Sequence, residues 1–120
     1  VPEIKDKNLL RQVFLNPASR NLLAVWSLLK GSTFDLKVVA DLLSLTEDGL
    51  ETKIQTLAGL GLIQVSNRPT GERMVKFLQA PSNDIVTLID EMFISRRREF
   101  EHIEARVRSQ LYITLLSTPV

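Results

Sequence analysis

The sequence predicts an α+β fold that is mostly α, and three observations predict it. Apolar residues recur at helical spacing in most of the chain. Two short runs of β-forming residues, Ile63–Ser66 and Arg73–Leu78, flank a turn that contains Pro69 and Gly71. The last third carries an apolar stripe far longer than the others. With 120 residues, 44% hydrophobic and 24% charged, the composition is that of one globular domain, residues 1–120.

The first helix is expected over Glu3 to Leu15, with Leu9, Leu10, Val13 and Phe14 on its apolar face. In "LNPASRNLLAVWSLLKGS" a second helix starts. Asn16 is placed to cap it, Pro17 suits the first helical position, and Gly31 suits the stop. Its apolar residues cover more than one stripe, which puts it at the centre of the core. Thr33–Phe34 reads as extended. Asp35 then caps a helix to Leu43. Ser44 and Leu45 make a tight turn, Thr46 caps the next helix, and Gly61 stops it. Leu50, Ile54 and Leu57 mark the buried side of that helix. Two helices joined by so short a turn form a helix-turn-helix unit, and a hairpin directly behind it is a wing.

Pro81 closes the hairpin, and Ser82 or Asn83 caps a final helix expected from Asp84 to Leu115. Ile89, Phe93, Phe100, Ile103 and Val107 follow a near-heptad path along it. A helix of that length projects beyond a small domain and needs a partner for its stripe. A second copy of the chain is the economical one, with Leu10 and Phe14 of the first helix joining the same interface. Packing against the first helix of the same chain is the alternative.

Charge is uneven beneath a net value of +1. Asp35, Asp41, Glu47, Asp48 and Glu51 face only Lys37 and Lys53 across 35–60, while Arg68, Arg73 and Lys76 make the hairpin positive. Arg96, Arg97 and Arg98 form the densest basic run. Zero cysteines exclude disulfides and thiolate chemistry. With one histidine, no nucleophile–base pair and no phosphate-cradling glycine loop, catalysis is not expected. No membrane span or secretory leader is expected and a cytoplasmic setting is the default, although a chain lacking an initiator Met can have a trimmed start. The mixed-sign face of the last helix argues against a membrane-surface role.

"LNPASRNLLAVWSLLKG" and "DLKVVADLLSLTEDGLETKIQTLAGLGLIQV" resemble the core of arsenic-repressor-type winged-helix regulators. The broader multiple-antibiotic-resistance-type winged-helix group shares most of the pattern. The likeness spans roughly 16–79, with 84–115 agreeing in position only, as a C-terminal dimerisation helix. It implies a homodimeric transcription regulator with paired reading helices and flanking wings. The metal-sensing members use cysteines, or histidines and acidic residues on the last helix. Here there is no thiol and His102 stands alone, so no metal and no cofactor is expected.

On that alignment Glu47, Asp48, Glu51, Thr52 and Gln55 face outward from the reading helix. Carboxylates at a helix start stabilise the helix by roughly 0.3–1 kcal/mol each, so they need no ligand. Beside DNA phosphates, however, they repel. Double-stranded DNA is the expected partner, met by Thr46, Thr52, Lys53 and Gln55 on the helix and Arg68, Arg73 and Lys76 on the wing. The expected interface between two copies is Leu10, Phe14, Ile89, Phe93, Phe100, Ile103 and Val107. Arg96–Arg98 reads either as a phosphate contact or as a solvated face with Arg97 paired to Glu101. Trp26 and Phe77 read as core ahead of an effector pocket. The alternative function is a protein-interaction adaptor whose acidic helix binds a basic partner.

Overall fold

A computed structural model describes residues 2–117, with side chains over 6–111. The elements in order are α1 (Pro2–Leu15), α2 (Pro17–Leu29), β1 (Thr33–Asp35), α3 (Leu36–Leu43), α4 (Glu47–Gly59), β2 (Ile63–Asn67), β3 (Arg73–Phe77), α5 (Asn83–Ile94) and α6 (Arg97–Ser117).

The caps read from the sequence are in place. The Asn16 side chain accepts from the Ser19 amide at 3.1 Å, and Pro17 opens α2. Asp35 accepts from the Lys37 amide at 2.8 Å, and the Thr46 hydroxyl accepts from the Gly49 amide at 3.0 Å. A Cβ at position 49 would sit 3.1 Å from that hydroxyl, so Gly49 leaves room for the cap. After α4, Gly61 adopts φ +78°, and the Leu62 amide reaches back to the Leu57 carbonyl at 3.1 Å. This is the left-handed glycine stop that a helix uses to satisfy its last carbonyls.

β1, β3 and β2 form an antiparallel sheet in that order, with Phe34 opposite Val75 and Val65 opposite Val75 on its other side. The central β3 sends Val75 and Phe77 into the core, and Lys76 points out. The core gathers Trp26, Leu22, Leu23, Leu50, Ile54, Leu57 and Leu62 around α2. The Trp26 indole N–H donates to the Leu78 carbonyl at 2.8 Å, and the Lys30 ammonium lies over its ring. Trp26 and Phe77 are thus core side chains, the reading preferred over an effector pocket.

The expected single helix over 84–115 is corrected: it breaks at Ser95–Arg96 into α5 and α6. The Ser95 hydroxyl donates to the Met92 carbonyl at 2.8 Å, which offers the backbone an alternative to continued helix. Three adjacent arginines follow, and packing rewards the turn. Phe93 meets Phe14 edge-on at 5.2 Å and Phe100 at 5.1 Å. α6 then packs across α2 and past α3 of its own chain.

The apolar stripe assigned to a second copy is therefore largely covered within one chain. Leu10, Ile89, Phe93, Ile103 and Val107 are buried, and Phe14 and Phe100 are half-buried. The heptad spacing registered a face that needs a partner, and α1 and α2 supply much of it. Among the described residues, Leu15 and Ile94 are the large apolar side chains exposed to solvent, at 77% and 73%.

Candidate nucleic-acid interface

α3, the Ser44–Leu45 turn, α4 and the three-stranded sheet fit a winged helix-turn-helix. Ser44 sits at φ +55°, which lets the chain reverse between two short helices. The Leu45 amide bonds the Ala40 carbonyl at 2.9 Å and fixes the turn. Leu50, Ile54 and Leu57 anchor α4 inward. One turn apart on the opposite side, Asp48, Thr52 and Gln55 are exposed.

The residues expected to meet DNA fall into two groups. Thr52 and Lys76 are exposed and carry no side-chain bond to other described residues. The others are engaged. Thr46 holds its cap, Lys53 donates to the Gly49 carbonyl at 3.3 Å, and Gln55 donates to Glu51 at 3.3 Å. Arg68 pairs with Glu72 at 3.3 Å across the tip of the wing. Arg73 forms an ion pair with Glu51, so wing and α4 are joined by opposite charges.

This last pair was not anticipated. Sequence separation hides it, since Glu51 and Arg73 lie on different elements. It takes Glu51 out of the acidic exposed set and turns its carboxylate toward β3. It also takes Arg73 out of the free cations. The face that remains is less acidic than the sequence suggested and also less basic.

Between the start of α4 and the wing tip lies a cleft of about 640 Å³. Asp35, Glu47, Asp48, Glu51 and Glu72 line it against Lys37 and Arg73. Glu47 and Asp48 stand in the first turn of α4, where the positive end of the helix stabilises them.

Five further arginines are placed as follows. Arg20 is buried and donates through Nε to Glu99 at 2.7 Å and through Nη1 to the Phe14 carbonyl at 3.0 Å. Its position inside an apolar helix was the signal that it had a buried partner. Arg96 pairs with Glu99 at 3.1 Å, and Arg97 with Glu101 at 3.4 Å, the i,i+4 pairing considered from the sequence. Arg98 has no bond to other described residues. Arg106 reaches the helix-turn-helix, donating to the Leu42 carbonyl at 3.3 Å and the Ser44 hydroxyl at 3.0 Å. Nothing in the sequence pattern marked that contact. Among the described residues no helix is long and apolar enough to cross a membrane, and no cluster of His, Asp and Glu is placed to hold a metal ion.

No family model matches this chain, and no curated protein matches it. A solved structure described as a possible transcriptional regulator from Methanosarcina mazei Go1 is similar over 79% of this chain and 82% of its own. The two are 13% identical with a TM-score of 0.49, a similarity that assigns this chain no function.

Proposed function

We propose that the chain is a DNA-binding transcription regulator, with α4 in a major groove and the β2–β3 wing against the neighbouring backbone. The observation that carries this reading is the Arg73–Glu51 pair. It offsets the α4 carboxylate that faces β3, so that this carboxylate repels phosphates less than its place on the helix implies. Asp48, Thr52 and Gln55 then form the exposed line of α4. Gln reads adenine, and a carboxylate accepts from the cytosine amino group. Lys37, Lys76 and Arg68 supply phosphate contacts, and the first two need break no ion pair to do so. Duplex affinity from so few cations is modest and strongly salt-dependent.

A homodimer belongs to this reading, with the exposed Leu15 and Ile94 as its apolar contacts. Phe14 and Phe100, half-buried beside them, would be covered by the second copy. Two copies double the phosphate contacts, which a weakly basic face requires.

A low-salt titration of the chain with mixed genomic duplex fragments tests the proposal. Saturable binding that weakens on Lys76→Ala supports it, and a flat titration removes it. The acidic cleft favours a second reading, an adaptor that receives a basic peptide. That reading predicts capture of a lysine-rich peptide that is lost when Glu47 and Asp48 become Lys, with no duplex affinity beforehand.

A further inference from the structure

We infer that the groove between the first turn of α2 and the first half of α6 binds a small oxyanion, a phosphate or carboxylate group, and reports its presence to the helix-turn-helix through Arg106. The groove has a volume of about 580 Å³, within the range of small-ligand pockets. Arg20, Arg98, His102 and Arg106 line it, against the single carboxylate of Glu99. That carboxylate is already held by Arg20 at 2.7 Å and Arg96 at 3.1 Å. Arg98, His102 and Arg106 follow one another at intervals of four along α6, so they share a face. Arg98 and Arg106 put two guanidinium charges on that face with the His102 ring between them, and an anion in the groove meets both charges. Arg98 brings a guanidinium fork with no bond to other described residues, and such forks match carboxylate and phosphate oxygens two at a time.

Arg106 stands on the wall of the same groove while its two terminal nitrogens hold the Leu42 carbonyl and the Ser44 hydroxyl. An anion in the groove competes for that guanidinium. Occupancy therefore draws Arg106 away from the end of α3 and from the residue at φ +55° that sets the α3–α4 crossing. The ligand acts as an effector on the reading helix without touching it. The anion site stands whether or not α4 reads DNA, and both of its consequences are measured without DNA.

The test titrates the whole chain by calorimetry with inorganic phosphate and with succinate, each at ionic strength held constant with potassium chloride. One or both probes should bind saturably. Arg98→Ala should weaken binding about tenfold, the lower end for a hydrogen bond to a charged group, and leave the urea midpoint unchanged. On saturation, amide exchange at Ser44 and Leu45 should accelerate in the wild type and stay unchanged in Arg106→Ala. Heats explained by ionic strength alone, or equal affinity in Arg98→Ala, would overturn the site. Binding with unaltered exchange at Ser44 and Leu45 would overturn the coupling. A short duplex that loses affinity on Arg98→Ala, with neither small anion bound, would make the groove a DNA-backbone contact and end the effector proposal.

Discussion

Arg20 and Glu99, 79 positions apart in sequence, share an ion pair of 2.7 Å that ties the first turn of α2 to the first turn of α6. The Arg20 side chain is 9% exposed and the Glu99 side chain 38%. Replacing the carboxylate by an amide leaves the buried guanidinium without its countercharge, beside the Phe14 carbonyl and the Phe14 ring. Glu99→Gln should destabilise the fold by about 2 kcal/mol, below the full cost of orphaning a buried charge because Glu99 is partly solvated. Urea unfolding of the two proteins measures it. An unchanged midpoint would mean that the pair contributes nothing to docking α6.

The same docking predicts how Ile103 behaves. Ile103 is 3% exposed in the single chain, between α6 and α2. Ile103→Ala should cost about 3 kcal/mol, as for other fully buried isoleucines. The loss should be the same at low and high protein concentration, because the contact lies within one copy. A loss that vanishes on dilution would place Ile103 between copies instead.

Leu15 and Ile94 carry the converse prediction. Both are exposed, at 77% and 73%, so replacing each with Asp leaves the core intact. The double variant should sediment as a monomer at concentrations where the wild type sediments as a dimer, with its secondary structure unchanged. Identical sedimentation of the two proteins would remove these residues from any interface.

Gly61 tests the end of α4. At φ +78° a Cβ meets strain from its own backbone, although the nearest other atom, Pro81 Cγ, lies at 3.8 Å. Gly61→Ala should therefore destabilise by about 1 kcal/mol without repacking its surroundings. Thermal unfolding followed by circular dichroism reads that change, and a stabilised variant would contradict the left-handed stop.

Much of this fold is legible in the sequence because its signals are local. Asn16–Pro17, Asp35, Thr46 and Gly61 each act within a few residues, and the boundaries they imply are present. The hairpin strands follow from β-branched and aromatic residues around Pro69 and Gly71. What was not legible depends on tertiary contact. The break at Ser95–Arg96 is enforced by Phe100 returning onto Phe93 and by Glu99 reaching Arg20, neither of which periodicity encodes. The heptad spacing of Phe93, Phe100 and Val107 recorded a face that must be covered, and spacing alone does not say which chain covers it. At the site, sequence placed Glu51 and Arg73 on the correct elements but treated their charges separately. Their pairing changes the charge balance on which the functional reading rests.

Breaking that pair addresses the central claim most directly. Glu51→Gln removes a carboxylate from α4 and releases Arg73 from its partner, so the exposed surface gains one available cation. Affinity for mixed genomic duplex should be measured against potassium chloride concentration in both proteins. The account predicts saturable binding in the wild type, tighter binding in Glu51→Gln, and a log–log salt slope steeper by about 0.9 for the one added phosphate contact. Flat titrations for both proteins at low salt, with a lysine-rich peptide bound by the wild type and lost in Glu51→Gln, would contradict it.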